Sequence, residues 1–427
     1  MVDRPTRLSD APWLSDPAAG RVMAALSNAG GEGRFVGGCV RDALLKRPLG
    51  DIDIATTLTP DRTLAALKAA GLKAVPTGID HGTVTAVADH RPFEITTLRR
   101  DVETDGRRAR VAFTDNWAED ASRRDFTMNA LYADIGGVLH DPAGGIDDAL
   151  AGRVRFVGDA DRRIAEDVLR LLRFFRFHAW YGKGAPDPDA LAACARAAPL
   201  LSTLSGERVR AELLKLLSAP DPAPVWRRMI EADVARAALG VDGDADRLAR
   251  LEGPPDPILR LAALLGPDAP QALPDRLRLS NIERERLATL SENWNAVEDG
   301  ASAADLRRLA YRLGRPAADD LIRLAKTEGR PPQADLGAWT PPTFPVRGAD
   351  LLALGLTTGP EVGRLLSELE GWWIAEDFRP DRAALLDRAK TNCPSPNPLP
   401  GGERAIDLPS PLLGEGGTRR SREGEGR

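Results

Sequence analysis

Residues 34–56 read RFVGGCVRDALLKRPLGDIDIAT. Phe35 and Val36 lead into Gly37-Gly38, then a stretch at helical spacing, a Pro48/Gly50 break, and an apolar run carrying Asp51 and Asp53. This predicts strand, tight turn, short helix, break and second strand. Strand residues at i and i+2 share a face, so the Asp51 and Asp53 carboxylates are expected to point the same way. Two such anions repel unless a cation joins them. Hard oxygen ligands suit Mg²⁺, which keeps coordination positions open for substrate phosphates. The glycine pair, with Gly38 leading, opens a helix whose first amides can hold an anion, and Arg41 sits in its first turn. A carboxylate pair for metal beside a cradle for triphosphate describes nucleotidyl transfer.

Outward from this stretch the pattern stays mixed. Residues 16–29 predict an amphipathic helix, Pro60–Ala70 another, and TVTAVADHRPFEITTL (83–98) two strands around an Asp-His-Arg-Pro turn. Beyond about residue 145, Ala/Leu/Arg/Glu segments recur at helical spacing between Gly/Pro/Asp breaks. The expected fold class is an α/β head (a mixed sheet with helices) followed by an all-α neck, body and tail. The expected divisions are 1–140 (head), 141–217 (neck, base selection), 218–330 (body), 331–391 (tail, opening on the Pro-rich 331–347) and 392–427. That last stretch is Pro/Gly/Ser-rich without periodicity and reads as disordered.

Composition narrows the classes. The 427 residues carry a net charge of -5, and three cysteines lie far apart, so neither a CxxC zinc site nor a disulfide framework is expected. No apolar run is long enough to span a bilayer, and the N-terminus lacks a signal-peptide h-region. A cytoplasmic protein without membrane or DNA partners is expected. Seven of the 58 basic residues are lysines; the arginine excess fits either bidentate phosphate contacts or a GC-rich genome. His81 and Cys39 are expected to be structural, and Trp117 and Trp372-Trp373 to serve packing rather than base stacking.

Further candidates follow. Glu94 lies mid-strand among apolar neighbours in FEITTL, a costly place for an unpaired charge, so a third metal-side carboxylate is expected there, with an arginine partner as the alternative. Arg124, Asp125 and Asn129 put a cation, an acceptor and an amide into one short segment, as a ribose triphosphate requires. Asp167 and Arg170 are expected at i and i+3 on one helix face, with Arg173 and Arg176 continuing the stripe. Cytosine and adenine both present an amino group beside an unprotonated ring nitrogen. A carboxylate and a guanidinium match that pair, whereas uracil and guanine would leave both unpaired.

Five ordered motifs carry a family resemblance. GGCVRDALLKRPLGDIDIAT (37–56) resembles the first motif of the class II tRNA nucleotidyltransferase and bacterial poly(A) polymerase superfamily. RRDFTMNAL (123–131), the HDPAGG run to Gly145, EDVLRLLRFFRF (166–177) and SGERVRAELLKLL (205–217) are similar to the second to fifth. The resemblance implies that Arg124, Asp125 and Asn129 contact the incoming nucleotide, that Asp167 and Arg170 choose the base without a template, and that Mg²⁺ is the cofactor. It implies tRNA lacking all or part of its 3′ CCA, with ATP and CTP, as partners. VPTGIDHGTVTAV stands where the poly(A) branch carries a basic Gly-Lys/Arg-Arg-Phe-type signature. The segment 98–120 supplies a full-length loop with Arg107, Arg108 and Arg110, which a CC-only variant would lack. Full CCA addition is therefore expected, against poly(A) synthesis, CC-only or A-only addition, a small-molecule transferase, or a noncatalytic RNA-binding relative. Gly144-Gly145 would form a joint between head and neck. FPVRGADLLALGLTTGPEVGRLL (344–366) presents helix starts near Gly348 and Gly359-Pro360 that could hold tRNA phosphates, although the acidic net charge departs from the usual RNA binder.

Overall fold

The computed structural model describes residues 4–105, 108–356 and 359–392. The strands are β1 (Gly33–Val36), β2 (Asp53–Thr56), β3 (Lys73–Gly78), β4 (Thr83–Ala88), β5 (Arg91–Thr97), β6 (Arg99–Asp105), β7 (Arg108–Phe113), β8 (Tyr132–Ala133) and β9 (Leu139–His140). Seven of them form one sheet in the order β3-β4-β5-β2-β1-β8-β9. Only β2 and β5 run parallel, with Asp53 beside Glu94; the other pairings are antiparallel. The β4–β5 turn needs positive φ at both Asp89 (50°) and His90 (61°), which gives the strand twist of a tight hairpin. Helices α1 (Pro17–Asn28) and α3 (Pro60–Ala69) pack on one face, over Phe35, Ile54, Phe93 and Ile95. Alternation along the strands then sends Asp53 and Glu94 to the opposite face. Helix α2 (Gly38–Leu44) leaves β1 through Gly37, whose φ of 72° favours glycine.

Three local expectations are corrected. The segment before the second motif is a two-stranded antiparallel ribbon, β6–β7, rather than a loop. Strand β6 alternates charged residues with Val102 and Thr104, whereas Ala109, Val111 and Phe113 recur at every second position of β7 and could have marked a strand; Arg107 lies outside the described residues. Strand β2 starts at Asp53, leaving Asp51 ahead of it without strand pairing. The helix expected through 166–177 is broken: α6 (Ala160–Glu166) ends and α7 (Leu169–Tyr181) begins around an extended Asp167 (φ -155°, ψ 106°).

Downstream of α4 (Trp117–Ser122) and α5 (Gly145–Ala151), helices α6, α7, α8 (Pro188–Ala197) and α9 (Gly206–Leu217) are followed by eight more up to Thr327. One hydrophobic core runs through the sheet and these helices, from Leu8 to Leu336. The chain divides into two compact units, 1–341 and 342–427, inside the Pro-rich stretch. The second unit holds Gly348–Ala353, Pro360–Ala375 and Arg382–Asn392. These packs around Trp373, which contacts Phe344 and Phe378 and donates to the Pro380 carbonyl at 3.0 Å. The reading of 392–427 falls almost wholly outside the described residues. None of the described helices is long and apolar enough to cross a membrane.

Gly145 is explained by proximity. A Cβ there would stand 2.0 Å from the Thr127 carbonyl oxygen, because α5 abuts the 3₁₀ turn Thr127–Asn129. The Asp141 carboxylate accepts the Gly145 and Ile146 amides at 2.7 and 3.0 Å and holds α5 in place. Gly145→Ala is expected to destabilise the protein by about 1–3 kcal/mol through backbone overpacking, read as a Tm lowered by several degrees. An unchanged Tm would contradict this contact.

Candidate active site

Parallel register sets the carboxylates. Asp53 and Glu94 are direct neighbours on β2 and β5, and Asp51 lies two residues upstream. Asp53 is half-buried, whereas Glu94 is exposed. The cost foreseen for a buried Glu94 therefore does not arise, because it stands on the outward side of the pleat. Burial, then the negative charges of Glu94 and Asp51, push the Asp53 carboxyl up to about 6, against an opposing pull from Arg124. Among the described residues no group of three or more His, Cys, Asp or Glu side chains is gathered as a metal cage. The donor set is thus two adjacent aspartates with a third acid across the strand, crowded with negative charge. It fits a hard divalent cation that completes its shell with substrate oxygens.

Two cations lie close to the glycine turn. A Cβ on Gly37 would lie 3.6 Å from Arg124 Nη1, and one on Gly38 3.7 Å from Arg41 Nη2. Arg124 is fixed by Asp120 (3.0 and 3.2 Å) and the Tyr132 hydroxyl (3.2 Å). Burial works against the Asp120 charge, but Arg124, Arg123 and the Tyr132 hydroxyl outweigh it and hold the carboxyl down at about 2. Arg41 is 6% exposed and underlies the turn. It donates to Asn129 Oδ1 (2.5 Å), to Asp42 (3.0 Å from both Nε and Nη2) and to the Tyr181 hydroxyl (2.6 Å). Asn129 in turn donates to Asp125 at 3.0 Å, and Asp125 accepts from Arg173 through Nε (2.9 Å) and Nη2 (2.5 Å). Burial opposes the Asp125 charge, yet Arg173 and Asn129 hold this carboxyl below its ordinary value.

Asp167 and Arg170 do not pair with each other. Arg208 of α9 donates to both Asp167 oxygens (2.8 and 2.9 Å), and Arg170 Nη1 is held by Glu166 (2.5 Å) and the Arg163 carbonyl (2.9 Å). Asp167 also accepts the Leu169 amide at 3.1 Å, which starts α7. Arg176 meets Glu212 at 2.5 Å, and Glu212 is also 3.7 Å from Arg173. The structure thus gathers Arg41, Asn129, Asp125 and Arg173 into one network that also reaches Arg176 through Glu212, while Arg124 belongs to a separate cluster with Asp120 and Tyr132. Asp53 and Glu94 lie on neighbouring strands with Asp51 just ahead of β2, and Asp167 and Arg170 at the start of α7.

Sequence reasoning missed Asp120, Tyr132, Glu166, Arg208, Glu212 and Tyr181. The i,i+4 spacings of Asp120/Arg124 and Glu166/Arg170 could have exposed two of them; Arg208 and Glu212 come close only through folding. Cys39 is buried, and burial pushes its thiol up to about 11, so it is not a nucleophile. His81 is exposed, and its carbonyl accepts from Arg99. Trp117 packs edge-on against Tyr132, with the Arg34 guanidinium 4.1 Å from its ring centre.

Comparison with known proteins agrees with this arrangement. The family profile described as "Poly A polymerase head domain" matches residues 33–155, and "Probable RNA and SrmB- binding site of polymerase A" matches 185–239. The chain is 35% identical over 372 residues to the CCA tRNA nucleotidyltransferase 1, mitochondrial, of Danio rerio, covering 83% of this chain and 86% of that one. It is 34% identical over 377 residues to the human protein of the same name, covering 84% and 86%. The crystal structure of the Bacillus stearothermophilus CCA-adding enzyme in complex with CTP superposes with a TM-score of 0.66 at 28% identity, covering 88% of this chain and all of that one. By sequence, by fold and by the residues gathered at the glycine turn, the chain belongs to the CCA tRNA nucleotidyltransferase family.

Proposed function

We propose that this protein adds C, C and A, without a template, to the 3′ end of tRNA lacking all or part of that terminus, using CTP and ATP and releasing pyrophosphate. The observation that carries this reading is the parallel register that sets Asp53 beside Glu94, with Arg124 near enough to act on Asp53 and 3.6 Å from a Cβ on Gly37. A CTP-bound relative of the same fold supports it.

Asp51 and Asp53 would hold Mg²⁺, with Glu94 on the primer side. When bound, the metal supplies Lewis-acid activation of the primer 3′-hydroxyl and charge neutralisation at the leaving pyrophosphate. The chain's own residues do the positioning. Arg124 and the amides behind Gly37-Gly38 draw the triphosphate to the turn, and buried Arg41 adds positive charge from beneath. Asp125 and Asn129 orient the sugar side and fix Arg173. Asp167, turned by Arg208, keeps lone pairs free to accept from an exocyclic amino group, because each of its oxygens has more than one acceptor site. Arg170 is anchored through Nη1 and by a longer contact from Nη2 to the Arg123 carbonyl (3.4 Å), leaving Nε–H and the second Nη2–H to aim at the ring nitrogen beside it. Arg176 acts one step back, locked to Glu212. The helix starts at Gly348 and Gly359-Pro360 would hold backbone phosphates of tRNA, read by shape. The cytoplasm is the expected compartment, consistent with Cys39 and Cys194 being buried and unpaired.

The test is extension of a tRNA transcript ending at its discriminator base, with Mg²⁺ and each nucleotide singly or CTP and ATP together. A stop at the third added nucleotide that needs both is expected. A stop after two with CTP alone would mean CC addition, a ladder with ATP a poly(A) polymerase, and no extension would overturn the reading. Asp53→Ala is expected to lower turnover by about 10²-fold or more while filter binding of tRNA stays unchanged; retained turnover would remove Asp53 from the metal site. Asp167→Ala is expected to reduce the kcat/KM preference for CTP over UTP by about 10–10²-fold, and an unaltered preference would count against base reading by this carboxylate.

A further inference from the structure

Tyr181 closes α7, the helix that carries Arg170, Arg173 and Arg176, yet it touches the head rather than the bases. Its hydroxyl accepts from Arg41 Nη2 at 2.6 Å, and its ring centre lies 4.1 Å from the Arg41 guanidinium carbon and 4.5 Å from that of Arg47. Arg47 also donates to the neighbouring Trp180 carbonyl at 2.6 Å. Phe177, one turn earlier, stacks on Tyr181 at 5.6 Å and also faces Arg41 at 5.2 Å. Arg41 is buried, so each of its N–H groups must find an acceptor. Asp42 cancels part of its charge and Asn129 ties it to the nucleotide-side network. The remaining partner, Tyr181, is a neutral acceptor. Burial pushes its ionisation up, with Asp42 acting in the same direction, so it stays a phenol at working pH. A carboxylate in its place would cancel the charge that lies under Gly38; a phenol aims the guanidinium and leaves that charge in force.

We propose that Tyr181 is a positioning residue: through Arg41 it sets the glycine turn and Asn129 in register with the base-reading residues of α7, so that a triphosphate and its base are aligned by the same helix. This rests on the CCA-adding reading, and Tyr181 itself touches neither substrate nor metal.

The experiment compares wild type, Tyr181→Phe, Arg47→Ala, Arg41→Lys and the Arg41→Lys/Tyr181→Phe double variant. Each is measured for tRNA extension, for equilibrium CTP affinity by calorimetry without tRNA, and for Tm. Tyr181→Phe keeps the ring against both guanidiniums and loses only the polar contact. It is expected to weaken CTP affinity and raise KM for CTP and ATP by about 3–10-fold, with KM for tRNA unchanged and Tm nearly so. In the Arg41→Lys background the same change is expected to alter CTP affinity by less than about 2-fold, because the partner it acts through is already gone. Arg47→Ala, which removes the other cation at the ring, is expected to leave nucleotide affinity as in wild type. Wild-type nucleotide parameters in Tyr181→Phe, an equal effect in both backgrounds, or an equal loss in Arg47→Ala would each overturn the proposal. Wild-type extension of tRNA is measured first: its failure overturns the functional reading and the proposal with it, whereas normal extension with an unaffected Tyr181→Phe overturns the role of Tyr181 alone.

Discussion

Asp125 is a carboxylate shut inside the protein, and the site depends on how it is paid for. Its oxygens accept from the Phe126 amide, the Asn129 amide group and the Arg173 guanidinium. Those donors come from the strand-side turn and from α7, so neutralising one buried charge requires head and neck to meet in a single arrangement. Asn129 then turns its oxygen to Arg41, and Arg173 shares Glu212 with Arg176. Removing Arg173 would leave the Asp125 charge without its cation, a loss that costs about 3–5 kcal/mol in comparable buried pairs. The network therefore specifies geometry more than it adds stability, and the geometry it specifies is the distance from the glycine turn to α7.

The carboxylates and the guanidiniums of the site are organised by opposite electrostatic rules. On the carboxylate side, like charges are forced together by strand register, and the result is a carboxyl raised toward neutrality and in need of a cation. On the guanidinium side each cation is already paired with an acid: Arg124 with Asp120, Arg173 with Asp125, Arg170 with Glu166, Asp120 and Glu166 being shared with Arg123 and Arg163. The carboxylates thus stand under mutual repulsion, whereas the guanidiniums are held in place by their partners. Preorganised donors of that kind lose little on meeting a substrate.

Legibility in the sequence followed the range of the interactions. The strand–glycine–helix–strand order, the Asp53 and Glu94 strands and the all-helical remainder were readable because each rests on local periodicity or on turn residues. The β6–β7 ribbon was not read, although Ala109, Val111 and Phe113 alternate along β7, because the charge density of residues 99–110 and its glycine resemble a loop. The break at Asp167 was not either: EDVLRLL has good helical spacing, and only the Leu169 amide bonding back to the Asp167 side chain, with Arg208 arriving from α9, shows why the backbone opens there. Glu94 was placed correctly on its strand and misjudged in exposure, because an outward position on a strand of apolar neighbours looks the same as an inward one until the register is known. Partners such as Arg208, Glu212 and Tyr181 are invisible to spacing, being brought in from other helices.

The arginine excess finds a structural use that charge counting could not supply. Arg260 is 7% exposed and donates to the carbonyls of Leu217, Ala219 and Pro220, closing the end of α9. Arg286 bridges Asp256 and Asp320, and Arg330 spans the carbonyls of Trp294 and Val297. Each of these needs two or more donors held in one plane, which a lysine ammonium does not offer. Guanidiniums committed in this way already have protein acceptors, and with 63 Asp and Glu against 58 basic residues the arginine-rich chain still carries a net charge of -5. The number of arginines is therefore no measure of basic surface: in these places the residue serves internal geometry, holding chain ends and acid pairs that a lysine would leave less defined.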